Sequence, residues 1–317
     1  MFRYDVLCIG SATVDHFITI SELWNKVKLG DKILIEQTEM HSGGGATNSS
    51  VALAKMGLKV KILTKFGQDH NAELISKELR EHRIKNICRH HSRRQTDSSF
   101  IIHSLKEKDR VIFVHKGASL DLEKDDFRKS QLRAEWFYLA SPMEKSWKIA
   151  QEVVNFAQRK KKSVLFNPSL YLAEKGVTSL RKVLSKTTLL VLNKQEAQAL
   201  LQKTVGTKAM LSLLQKLGPE KVVITDGPKK LWAVDGEEHY CLTPPEIKVV
   251  HTAGAGDAFT SAVLVGLMKG YSFADALALG QANASSIIQH IGTKTGLLSE
   301  TEALKLVKKY RIKVRRC

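Results

Sequence analysis

The chain has 317 residues, 43% of them hydrophobic, and 50 Lys and Arg against 32 Asp and Glu, a formal net charge of +18. That length suits one large domain with a smaller appendage. No run of about 18 uncharged apolar residues is present to span a membrane, and the acid-bearing start MFRYDVLCIGSATVDHF argues against a secretory leader. The four cysteines, Cys8, Cys88, Cys241 and Cys317, lack metal-ligand spacing, which fits a reducing, cytoplasmic setting. An excess of cations suits nucleic acid, anionic membrane or a polyphosphate substrate. The excess is spread along the chain, with local runs only at RHHSRR, RKKK and the tail KKYRIKVRRC. Solvated surfaces account for such runs, and the field by itself names no partner.

In chain order, YDVLCIG reads as a short buried strand closing on a glycine turn. NSSVALAKMG has a helical pattern, KVKILTKFG is strand-like, and HNAELISKELREH and SWKIAQEVVNFAQRKKK are amphipathic helices. SVLFN and TLLVLN follow as strands, KQEAQALLQK and KAMLSLLQKLG as helices, and KVVITDG as another strand. Buried strands alternating with helices predict an α/β fold, a mostly parallel sheet covered by helices. Ligands in such folds sit beyond the carboxyl ends of the strands.

Two segments depart from that alternation. Residues 12–41 and 94–116 hold strand-like runs separated by polar turns, without a long helix between them. They are expected to form a small β lid, with the main domain made of residues 1–11, 42–93 and 117–317.

Near the C-terminus, TAGAGD leads straight into an apolar, helix-compatible run. Consecutive small residues let backbone N–H groups approach an anion, and the start of a helix adds positive potential there. The stretch is neither a GxxxxGK[ST] loop nor a GxGxxG turn. Asp257 is then either a helix cap or a base beside a transferring phosphate.

This stretch resembles the C-terminal motif of the PfkB, or ribokinase-like, family of sugar and nucleoside kinases. GGGATNSSVALAKMG (residues 43–57), preceded by IGSATVD, resembles the family's N-terminal motif. LNKQE and VITDG are similar to its Asn-x-x-Glu and nucleotide-loop elements, so four motifs stand in the family's order across nearly the whole chain.

The resemblance implies a ribokinase-like fold and ATP-dependent phosphorylation of a primary alcohol on a sugar or nucleoside, with magnesium. Asp257 would be the base, and Gly254, Ala255 and Gly256 would give N–H groups to the transferring phosphoryl. Asp15, Gly44 and Asn48 would hold the acceptor's hydroxyls. Asn193, Thr225, Gly227 and Asn283 would line the ATP site, with Glu196 organising magnesium through water. Without the family, Asp15 closes a loop, Asn48 caps a helix, Glu196 decorates a first helical turn and Arg110 is a solvated hairpin residue equally well.

His251 stands where many members carry an aspartate that contributes to a monovalent-cation site, which weakens the case for potassium. Gly45 and Ser49 fall in a segment where ribose-preferring members often have lysine and glutamine, so the acceptor is not specified. The apolar residues Phe17, Ile18, Ile20, Ile33, Leu34 and Ile35 suggest a lid-mediated homodimer. The alternative reading is a nucleic-acid-associated protein on a kinase-like scaffold; no nucleic-acid-reading motif accompanies the charge.

Overall fold

A computed structural model of the chain describes residues 4–107 and 109–317. Residues 1–3 of the expected main domain and residue 108 of the expected lid lie outside the described residues.

The main sheet runs, from one edge, Lys85–Asn86, Val60–Leu63, Tyr4–Gly10, Ala134–Ala140, Ser163–Asn167, Leu189–Asn193 and Lys221–Thr225, each parallel to its neighbour. Leu231–Asp235, Glu238–Leu242 and Arg315–Arg316 extend it antiparallel at the far edge. Alternation along Tyr4–Gly10 sorts the core: Val6 and Cys8 join one apolar cluster, Leu7 and Ile9 the other. Helices Gly45–Lys55, His70–Glu81, Ala255–Met268 and Phe273–Ile287 cover the first face; Glu144–Arg159, Gly176–Leu184, Lys194–Leu201 and Thr207–Gln215 cover the second. The central strand Ala134–Ala140, AEWFYLA, is not among the strands read from the sequence, although its aromatic-rich apolar run carried the signal.

A second, four-stranded sheet has the order Ile35–Gly43, Thr13–Ile20, Asp97–Ser104, Asp109–His115. Its two inner strands, 84 positions apart in the chain at the Asp15↔Ser99 pair, run parallel. Much of its apolar surface is open: Leu34, Ile35, Phe100, Ile112 and Phe113 are all exposed. Ile20, counted in the apolar run expected at a dimer contact, is instead buried, although the exposed Ile35 is its cross-strand partner.

No cysteine pairing was expected, but the structure joins Cys241 to Cys317 across the antiparallel edge, with Cα atoms 6.0 Å apart. Cys8 is buried and free, and Cys88 is free.

Candidate active site

The carboxyl ends of the parallel strands open into a cleft of about 350 Å³, lined by Ala140, Asn167, Asn193, Thr225, Gly254 and Asp257 among others. The helix Ala255–Met268 enters this cleft N-terminus first. Gly254 is its N-cap at φ 79°, a left-handed conformation that costs other residues strain. A Cβ there would also fall 2.6 Å from the Thr293 carbonyl oxygen. Asp257 lies in the first turn but does not cap it, since the N-cap is Gly254 with no side-chain cap bond. Its Oδ2 instead accepts a 2.9 Å hydrogen bond from Asn48 Nδ2.

Asn48 in turn is not the cap of Gly45–Lys55; Gly44 holds that place at φ 93°. The Asn48 side chain is a bracket, because its Oδ1 accepts from Thr293 Oγ1 at 2.9 Å while its amide donates to Asp257. Asp15, at the start of the small sheet, is 8% exposed, and its Oδ1 accepts from Ser99 Oγ at 2.5 Å.

Lys294, on the loop carrying Thr293, donates to Glu78 Oε2 at 2.7 Å and to the Ser42 carbonyl at 2.8 Å. Its charge reaches both Asp257 and Asp15. Burial raises the Asp257 carboxyl to about 6, opposed by the Asn48 hydrogen bond and by Lys294, with the Asp15 charge adding to the rise. Burial also raises Asp15, with Ser99 and Lys294 opposing, and lowers the Lys294 ammonium against the pull of Glu78. The Asp257 carboxylate has lost much of its water, which is why it titrates above an ordinary aspartate.

Asn193 and Glu196 form a reciprocal capping box on Lys194–Leu201: Asn193 Oδ1 accepts from the Glu196 N–H, and Glu196 Oε2 accepts from the Asn193 N–H, both at 2.8 Å. The Asn193 side-chain oxygen is therefore occupied by the helix. Glu196 still lines the cleft, and burial lifts its carboxyl to about 7, the Asn193 N–H lowering it and Asp257 raising it. Thr225 lines the same cleft, whereas Gly227 sits in an exposed turn at φ 55°.

Two expected roles need correction. Asn283 is fully buried, its Nδ2 donating to the Ala258 carbonyl and its Oδ1 accepting from Leu298 N–H. It braces two helices and a loop, with no surface left for adenosine. Ala255 N–H makes a 3.3 Å bond to the Thr252 carbonyl, so that donor is already engaged.

Arg110 is not merely solvated: its Nη2 donates to Thr252 Oγ1 at 3.2 Å, linking the small sheet to the glycine-rich turn. Burial pushes His251 down to about 4, with Arg110 and His103 adding to the effect, so the imidazole is neutral at pH 7. Sequence reading missed Ser99, Thr293, Lys294 and the cleft-lining Lys116. Thr293 and Lys294 lie in GTKTG, whose glycines mark a tight loop; Ser99 is found only once strand register pairs it with Asp15.

The profile of the family described as pfkB family carbohydrate kinase matches residues 3–300. A ribokinase of Bacillus subtilis (strain 168) is 24% identical, covering 96% of this chain and 99% of its own. An uncharacterized sugar kinase of Archaeoglobus fulgidus is 25% identical over 78% of this chain and 98% of its own. The structure of an Arabidopsis thaliana ribokinase complexed with ribose and ATP superposes with a TM-score of 0.82 at 21% identity, covering 97% of this chain and 99% of that one.

Proposed function

Because the chain belongs to the pfkB family of carbohydrate kinases, we propose that it transfers the γ-phosphoryl group of ATP to a primary hydroxyl of a sugar or nucleoside, with Asp257 as the base. The observation that carries this reading is that Asp257, pinned by Asn48, shares one cleft with the start of its own helix and with Glu196 and Thr225. Asn48 ties down Oδ2, leaving Oδ1 to receive the acceptor proton. As the acceptor oxygen bonds to phosphorus and the bridging P–O bond to ADP breaks, the proton passes to Asp257. The N–H of Gly256 and the positive end of the helix offset the charge on the moving phosphoryl. A carboxyl near 6 is a better base than an ordinary aspartate and is still mostly ionised at pH 7.

Asp15, buried against Ser99 beside the same Lys294 field, offers a carboxylate oxygen to an acceptor hydroxyl. The small sheet acts as the lid over it, and Arg110 is its latch on Thr252. Magnesium suits the donor set: the cation prefers oxygen, keeps its waters, and binds through one or two carboxylates plus substrate phosphates rather than in a protein cage. Glu196 is the cleft carboxylate that would hold it, through water. When bound, magnesium neutralises charge on the β- and γ-phosphates. A neutral His251 gives a monovalent cation no anionic ligand. A cytoplasmic location follows from dependence on ATP. The exposed Leu34, Ile35, Phe100 and Phe113 are the surface on which two lids would pair as a homodimer.

The test is ADP release from ATP and magnesium with a panel of sugars and nucleosides. Turnover with at least one acceptor and a product phosphorylated at its primary hydroxyl is expected. No acceptor-dependent ADP from folded protein over the whole panel rejects the reading.

A further inference from the structure

We propose that the C-terminal edge of the main sheet carries a second anion site, separate from the cleft, that takes a phosphate-bearing anion. A cavity of about 230 Å³ is lined there by Lys230, Arg311, Lys313, Arg315, Thr243 and Cys241, with no acidic residue among them.

The placement follows from alternation. In the extended tail, Ile312 is 8% exposed and Val314 packs on the core, so Lys313 and Arg315 face outward on the same side, and Arg311, in the turn just before them at φ 50°, lines the same cavity. Pairing of Arg315 with Cys241 and of Arg316 with Tyr240 seats the tail against the strand Glu238–Leu242. Arg316, on the opposite side of the alternation, is the one that finds a carboxylate, 2.6 Å from Glu238. Lys230 comes in from the turn before Leu231–Asp235, its ammonium 5.3 Å from the Trp232 ring centroid.

Among the described residues, none of the four cations around the cavity has an ion-pair partner. Four like charges converging without an acid repel one another, and an anion between them turns that repulsion into attraction. Two guanidiniums and two ammoniums suit phosphate oxygens, which the planar arginine fork binds in pairs. Even the single hydroxyl on the rim, Thr243, is a donor fit for the same ligand. The tail is also the basic run that the kinase chemistry leaves without a role, and the site does not depend on that chemistry being correct.

The probe is tripolyphosphate, added to the full-length protein and followed by calorimetry and by hydrogen exchange. Binding is expected to protect backbone amides in residues 229–232 and 311–317. Replacing Arg311, Lys313 and Arg315 together by Gln should weaken that component at least about 10-fold, since several charge-assisted bonds are lost. The same charge removed at Arg159, Lys160 and Lys161 should change it less than about 2-fold, and Lys230→Gln alone should weaken it from the other element.

A second titration with a short single-stranded oligonucleotide separates the two sources of phosphate. Tighter binding than tripolyphosphate, lost in the triple variant, assigns a phosphodiester chain; weaker or equal binding assigns a free phosphate compound. Equal losses in the two triple variants, or protection confined to the cleft, overturns the proposal.

Discussion

Asp257 and Asn48, 209 positions apart in the chain, meet through a 2.9 Å hydrogen bond that fixes one carboxylate oxygen of a residue lining the cleft. The same asparagine is held by Thr293, so two helices and a loop set the direction of one carboxylate. Aim and basicity at this site thus have separate sources, Asn48 for the first and burial with Lys294 for the second, and each can be perturbed on its own.

Asp257→Asn keeps the shape, and its amide oxygen can still accept from Asn48, but it cannot take a proton. A fall in kcat of about 10²- to 10⁴-fold is expected. A loss below about 10-fold would remove Asp257 from the role of base.

The same variant has a stability signature of definite sign. The Asp257 carboxyl titrates at about 6 in the folded chain against 3.8 normally, so its contribution to stability falls as pH rises from about 4 through 6. Ionised at pH 7, it opposes folding. Asp257→Asn should therefore melt at or above the wild-type temperature at pH 7 while losing activity. A clear drop in melting temperature would mean that the carboxylate is structural.

Wild-type kcat/KM should rise with pH through about 6 and then level off, because the deprotonated base is the active form. Lys294→Met removes a charge that lowers the Asp257 carboxyl, so this limb should move to higher pH, a change that mere loosening of the loop would not produce. The variant also leaves Glu78 without its 2.7 Å partner, and a destabilisation of about 3–5 kcal/mol is expected from breaking a largely buried pair. Lys294→Arg should restore most of the pH profile. An unshifted limb in Lys294→Met would show that the charge does not reach the base.

Gly254→Ala forces a Cβ into a residue at φ 79° and to within 2.6 Å of the Thr293 oxygen. Both the turn and the Thr293–Asn48 contact must give way, so ATP affinity and kcat should fall together, by roughly 10-fold or more, with a stability loss of about 1 kcal/mol or greater. Unchanged kinetics would show that the turn tolerates the shift.

Arg110→Ala removes the exposed contact to Thr252. The acceptor KM should rise several-fold, with melting unchanged within about 0.5 kcal/mol. If KM is unaffected, Arg110 is not a latch on the lid.

The sequence alone determined what depends on local pattern. Runs such as SVLFN and TLLVLN are apolar on both faces and stop at asparagine, and that is enough to require a buried parallel strand whose end faces a ligand. TAGAGD before an apolar run likewise requires a tight turn opening a helix, whatever surrounds it. Tertiary structure decided which side chains meet, since that depends on strand register and helix packing between distant segments. Asn283 looks like a cleft residue in sequence, yet its turn of helix faces Ala258 and Leu298. Ser99 joins Asp15 only through a parallel pairing of two lid strands. Lys294 finds Glu78 across 216 positions, and from there its charge acts on Asp257. Electrostatics in a partly dry cleft depends on such neighbours in space, so the basicity of Asp257 was set by the fold and not by its motif.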